Sequence, residues 1–262
     1  MSGMKLDLSG KHALVCGASR GIGRAAAAAL ADAGARVTLL ARDPDALERA
    51  RAGLAGTGHA VVSADLADPD GLQAVIDAHL AAVGPVHVLV NNSGGPPGGS
   101  AHTAEPDDFV AAFRQHLVAA HVLVRAVVPG MRAAGYGRII NVISTSVKEP
   151  ISGLGVSNTV RGAVASWAKT LAGELGRDGI TVNNVLPGFT ATDRLDYIFD
   201  TKAEKTGRPR GELEAAAKAQ VPLGRFAEPA EVAAAIAFLA SPLASYVNGI
   251  NLPVDGGRTG SL

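Results

Sequence analysis

The chain has 262 residues, 47% of them hydrophobic, and its 24 lysines and arginines balance 24 aspartates and glutamates. That is enough apolar material for one large α/β domain, while the balanced charge gives no global basic field to attract nucleic acid or an anionic membrane. A single cysteine, Cys16, excludes an internal disulfide and a cysteine-rich metal site.

Met1 to Leu8 mixes Lys5 and Asp7 with few apolar residues. No later run approaches the roughly 18 uninterrupted apolar residues of a membrane span, so the expected location is the cytoplasm. A first strand is expected over about 11–16 and a helix over about 21–33. Between them, Leu14-Val15-Cys16 breaks into Gly17-Ala18-Ser19-Arg20-Gly21-Ile22-Gly23, which reads as strand, phosphate loop and helix start. Glycines at 17, 21 and 23 permit torsions and a close approach that side chains forbid, and the first amides of the helix offer positive partial charge to a pyrophosphate. The spacing is G-x-x-x-G-x-G. Cys16, inside the strand, reads as a small buried residue and not as a reactive thiol.

Gly34 stops the helix, and Arg36-Val37-Thr38-Leu39-Leu40 supplies a second buried strand, completing a βαβ unit. An acid at the end of that strand would bind ribose hydroxyls, whereas an arginine accommodates a 2′-phosphate. The strand ends Ala41-Arg42, and Arg20 adds a second positive charge, so NADP(H) is favoured over NAD(H). The plainer alternative is two solvated loop arginines.

A helix over about 45–55 leads to the strand Ala60-Val61-Val62-Ser63, whose end, Asp65-Leu66, suits an adenine ring; Asp68-Pro69 starts another helix. Val86-His87-Val88-Leu89-Val90 ends in Asn91-Asn92-Ser93-Gly94-Gly95, small polar residues at the carboxyl edge of a central strand, where open α/β sheets bind ligands. His87 reads as packed or partly exposed, not as a ligand. After a loop from Gly94 to His102 a helix is expected over about 106–134. The fifth strand, Arg138 to Ile143, opens into Ser144-Thr145-Ser146-Val147-Lys148. In the following helix, about 152–177, Val160, Val164, Trp167, Leu171 and Leu175 form an apolar stripe suited to core or a subunit interface. The sixth strand, Ile180 to Leu186, opens into Pro187-Gly188-Phe189-Thr190-Ala191-Thr192, and a polar segment from Asp193 to Val221 reads as a lid or binding loop. A helix over about 229–239 and a strand from Gly249 to Val254 close the chain.

The ordered set Gly17 to Gly23, Asn91-Asn92-Ser93-Gly94, Gly137-Arg138-Ile139-Ile140-Asn141, Val182-Asn183 with Pro187-Gly188, and Val254-Asp255-Gly256-Gly257 resembles the short-chain dehydrogenase/reductase family over essentially the whole chain, and within it the 3-oxoacyl-carrier-protein-reductase-like members. The resemblance implies a single domain over 1–262 with a Rossmann-like, doubly wound, parallel seven-stranded sheet. It also implies NAD(P)(H) binding, redox of a carbonyl or secondary alcohol, and a homo-oligomer, a tetramer, built by pairing the two long helices. Cofactor contacts are then expected from Gly17, Ser19, Arg20, Gly21, Ile22, Gly23, Arg42, Asp65, Leu66, Asn91, Ser93, Gly94, Arg161, Pro187, Gly188, Thr190 and Thr192.

The family's catalytic set is Asn, Ser, Tyr and Lys: serine polarises the carbonyl, tyrosine delivers the proton, lysine lowers the tyrosine pKa and holds the nicotinamide ribose, and asparagine supports a water relay. Ser144 matches the serine. The Y-x-x-x-K positions read Ser157-Asn158-Thr159-Val160-Arg161, and His116 stands at the asparagine position. The i to i+4 spacing keeps Ser157 and Arg161 on one helical face. A serine hydroxyl is a far weaker and shorter acid than a phenol, while Arg161 stays charged and can still bond ribose hydroxyls. Lys148 and His116 are candidate replacement acids; their plainer readings are a solvated loop lysine and a hydrogen-bonded helix residue. The expectation is an NADP(H)-dependent oxidoreductase with an atypical proton donor. The alternatives are a cofactor-binding sensor or scaffold with little turnover, and a lyase or isomerase using His116 or Lys148 as a base.

Overall fold

Seven runs rich in valine, leucine and isoleucine form a fully parallel sheet. They are β1 (His12–Cys16), β2 (Arg36–Ala41), β3 (Ala60–Ser63), β4 (Val88–Asn91), β5 (Gly137–Val142), β6 (Ile180–Pro187) and β7 (Asn251–Val254), in the order β3-β2-β1-β4-β5-β6-β7. The computed structural model describes residues 6–261, so the reading of Met1 to Lys5 lies outside the described residues. Near-continuous apolar strands are what a parallel sheet covered by helices on both faces requires. Alternate side chains divide between two cores. Val15 and Leu39 pack with Leu30 and Ile236 on one face, and Leu14 and Leu40 pack with Leu89, Leu123 and Ile139 on the other. Strand order reverses between β1 and β4, and the crevice outside their carboxyl ends is where this topology binds ligands.

The connecting helices are α1 (Gly21–Asp32), α2 (Pro44–Ala52), α3 (Pro69–Val83), α4 (Pro106–Phe113), α5 (Ala119–Ala134), α6 (Gly155–Leu175), α7 (Asp193–Thr206), α8 (Arg210–Lys218) and α9 (Pro229–Ala240). Val160, Val164, Leu171 and Leu175 of α6 are buried in the domain. Cys16 is buried as well, and burial pushes its thiol up to about 12, so it carries no thiolate.

Two expectations need correction. The helix over 106–134 is not uniform: a π-helical turn, Arg114–Val118, separates α4 from α5. The segment is also long and apolar enough, by length and composition alone, to cross a membrane; its Leu123, Val127 and Met131 are instead spent on the core of this domain. The polar stretch from Asp193 to Val221 is mostly helix, not loop. Each of its helices buries only a narrow pair one turn apart, Leu195 with Phe199 in α7 and Leu213 with Ala217 in α8, which join Phe189 and Phe226 in a small separate cluster. Arg210 ties the two together by pairing with Asp196 and Asp200 on α7 and Glu214 on α8. The differences at strand and helix ends are a residue or two, apart from α2, which ends at Ala52 where Gly53 follows, and α6, which begins at Gly155 and not near 152.

Candidate active site

The glycine turn at the end of β1 is packed too closely for side chains at its critical points. Gly17 and Gly21 take φ +60 and +55, and a Cβ on Gly23 would lie 2.2 Å from the Gly17 carbonyl oxygen. The N-cap of α1, Arg20, makes no side-chain capping bond, so the first amides of α1 remain available to an anion. Ser19 and Ile22 lie half-buried in this turn. Thr192 stands over it, its Cγ2 3.4 Å from where a Gly21 Cβ would be. Behind Thr192, Pro187 ends β6, Gly188 packs so tightly that a Cβ would fall 2.7 Å from Asp255, and the Thr190 hydroxyl donates to the Gly188 carbonyl.

Arg42 is exposed at the end of β2, and the acid that follows it, Asp43, is used to cap α2 through the Ala46 amide. Arg20 pairs with Asp193 at 3.5 Å, both largely exposed. Such a pair is worth about 0–1 kcal/mol, so a stronger anion can draw Arg20 away. At the end of β3, the exposed Asp65 accepts from the Ala67 amide, while Leu66 lines the cavity described next.

Across the switch point, β4 delivers Asn91, Asn92, Ser93 and Gly94. Asn92 donates to the Cys16 carbonyl and so ties β4 to the glycine turn. Asn91 donates to Asn141, Asn141 to Asn184 and Asn184 to Asn251, an amide ladder in register across β4, β5, β6 and β7. The π-helical turn sets His116 inward, with its Nδ1 2.5 Å from the Ser93 hydroxyl. Burial first, and Arg161 second, lower the His116 pKa to about 3, so the ring is neutral near pH 7.

Arg161, on α6, is buried and donates through Nη1 to the Val142 carbonyl at 2.9 Å. Burial and then the Arg194 guanidinium hold it down to about 10. Three buried polar atoms without partners, Asn91 Oδ1, His116 Nε2 and Arg161 Nε, belong to residues lining one cavity with about 20 Å³ of open space, room for one water molecule. Ser144, Ser157 and Lys148 do not line it. Ser144 starts a 3₁₀ turn (Thr145–Val147) at the end of β5 and accepts the Ser146 amide; Lys148 ends that turn, half-buried. Ser157 lies one turn before Arg161 on α6, half-buried. Arg194 is the residue that sequence reasoning missed; it belongs to the first turn of α7, in the segment read as loop.

Sheet order, glycine turn and the polar ends of β4 and β5 together define a nucleotide-binding oxidoreductase fold, and the chain belongs to the short-chain dehydrogenase/reductase family. The family model described as enoyl-(acyl carrier protein) reductase matches residues 17–259. Among curated relatives, the 3-oxoacyl-(acyl-carrier-protein) reductase FabG of Vibrio cholerae is 35% identical over 96% of this chain and 98% of its own length. Gluconate 5-dehydrogenase of Gluconobacter oxydans is 33% identical over 98% of this chain and 97% of its own. The structure of L-sorbose reductase from Gluconobacter frateurii, complexed with NADPH and L-sorbose, superposes with a TM-score of 0.91 at 33% identity, covering 99% of this chain and all of that one.

Proposed function

We propose that the protein is an NADP(H)-dependent oxidoreductase that interconverts a carbonyl and a secondary alcohol without the family's tyrosine. The observation that carries this reading is the glycine turn, where Gly23 admits no Cβ, no side chain caps the first amides of α1, and Arg42 stands where an NAD(H) site would place an acid. The bound cofactor supplies or accepts the hydride. NADPH in the sorbose reductase complex supports the same assignment.

Ser144 already accepts the Ser146 amide, so its own proton is free to point at a carbonyl oxygen and polarise it. Arg161 keeps a planar fork for ribose hydroxyls. His116, neutral near pH 7, can pass a proton between Ser93 and the cavity but does not hold a spare one. Lys148, closing the Ser144 turn, is the remaining candidate donor. A positioned acid is worth about 10² to 10⁴ in rate, while holding the reactants together supplies roughly 7 to 11 kcal/mol, so slow reduction survives the loss of the phenol. A second reading, nucleotide binding with little turnover, is favoured by Ser157 and Arg161 themselves. Isomerase or lyase chemistry would need His116 or Lys148 as a base, and a pKa of about 3 makes His116 a weak one. The protein is proposed to work in the cytoplasm as a homotetramer paired through the long helices.

Saturating NADPH with a panel of activated ketones, followed by loss of NADPH absorbance, decides between turnover and binding alone. Consumption tied to alcohol formation supports the first reading. Tight binding with no consumption supports the second.

A further inference from the structure

Arg161 and Arg194 meet across Gly95. A Cβ placed on Gly95 would lie 3.6 Å from Nη2 of Arg194 and 3.9 Å from Nη2 of Arg161, so both guanidinium groups border one point in the crevice. Neither forms an ion pair among the described residues. Arg161 spends Nη1 on the Val142 carbonyl and leaves Nε without a partner. Arg194 donates to the Pro96 carbonyl at 2.7 Å and lies over the Tyr197 ring at 5.4 Å. Two like charges, one buried and one half-buried, with only neutral partners are unfavourable as they stand. Burial, then Arg194, lowers the pKa of Arg161; burial lowers that of Arg194, against Tyr197, which raises it.

An oxyanion between them would relieve both costs, because guanidinium forks bind carboxylate and phosphate oxygens in bidentate fashion. Val142, which Arg161 holds, precedes Ser144 by two residues, so the positive pair and the hydroxyl serve the end of the same strand. The glycine turn offers uncapped helix amides for the cofactor's phosphates, a separate set of donors. We propose that Arg161 and Arg194 clamp a carboxylate of the substrate, making this a reductase of small keto acids, or a dehydrogenase of the matching hydroxy acids. The proposal rests on the oxidoreductase reading for the reaction but not for the binding.

The test uses full-length protein saturated with NADP⁺, which binds a ketone without reducing it. Calorimetric titration with 2-oxobutanoate and 4-oxopentanoate, each against its methyl ester, should show at least one acid binding tighter than its ester by on the order of ten-fold or more, the size expected of charge-assisted bonds. Arg194→Met should erase that preference and Arg194→Lys should keep part of it. Gly95→Asp, which places a carboxylate at the shared point, should raise the melting temperature and also abolish the preference. Equal binding of acid and ester, no binding of either, or a preference untouched by Arg194→Met overturns the proposal. So does an Arg194→Met variant that loses NADPH affinity while keeping its acid preference, which would assign the clamp to the cofactor's pyrophosphate. An intact acid preference without reduction by NADPH would sink the oxidoreductase reading alone. Reduction of ketones with no acid preference would sink the clamp alone.

Discussion

The Ser93 hydroxyl and the Nδ1 of His116 lie 2.5 Å apart, joining the end of β4 to the π-helical turn between α4 and α5. π-turns inside α-helices recur at functional sites because the extra residue re-aims a side chain. Here it aims an imidazole at Ser93 in a setting that opposes its charge.

The neutral state of His116 has a consequence for stability. Its folded pKa, about 3, lies below the ordinary 6.5, as does that of His12, about 4, which is buried beside Arg36, His79 and His87. Unfolding lets such a ring bind a proton that the folded protein refuses. Stability is therefore fully present above pH 6.5 and falls as pH drops toward each folded value, at roughly 1.4 kcal/mol per pH unit for each histidine. Urea unfolding between pH 6.5 and 5 should show this slope reduced by about one proton in His116→Asn. An unchanged slope would mean that His116 is not held neutral by the fold.

Cofactor choice follows from the arginines. NADPH should bind more tightly than NADH, and Arg42→Ala should remove most of the difference, on the order of ten-fold for a lost charge-assisted phosphate contact. Asp193→Asn should leave NADPH binding as tight or tighter, because it frees Arg20 from an exposed pair. Fluorescence titration measures each of these affinities. Equal affinities for the two nucleotides would count against both arginines.

What could be read beforehand was local. The glycine turn, the buried strands and the small polar residues at their ends announce themselves within a few residues, because a parallel strand is an unbroken apolar run and a phosphate loop needs glycine at fixed places. The helices α7 and α8 were hidden because Leu195 with Phe199, and Leu213 with Ala217, are their only buried pairs among many charges. The π-turn leaves no pattern of its own. The asparagine ladder and the approach of Arg194 to Arg161 depend on register and on a distant helix, which no local spacing encodes.

Assembly is open to the same kind of test. Val110 and Phe113 on α4 are 56% and 41% exposed, large apolar groups on one of the long helices expected to pair across a twofold axis. Sedimentation should find a tetramer, and Phe113→Glu should shift it to smaller species without unfolding it. A wild-type monomer at micromolar concentration would remove the oligomer from the proposal.

Ser157 and Arg161 share a face of α6 one turn apart, and Ser144 sits at the end of β5, which Arg161 holds through Val142. If NADPH and a ketone are already held for hydride transfer, only a well-placed acid is missing. Ser157→Tyr combined with Arg161→Lys should then raise reduction of an activated ketone that carries no carboxylate, and so does not need the arginine clamp, by about 10² to 10⁴, the worth of a positioned general acid. Arg161→Lys alone should lose the Val142 bond, costing about 1 kcal/mol in urea unfolding, so the gain must be read on the double variant. Adding His116→Asn completes the family's set, and the neutral ring it replaces predicts only a small further gain. If native turnover is instead fast, the double variant should gain nothing, and Lys148→Met should lower kcat with a shifted pH profile. Fast turnover that survives both Lys148→Met and His116→Phe would place the donor elsewhere, on bound water or on a group of α7 or α8.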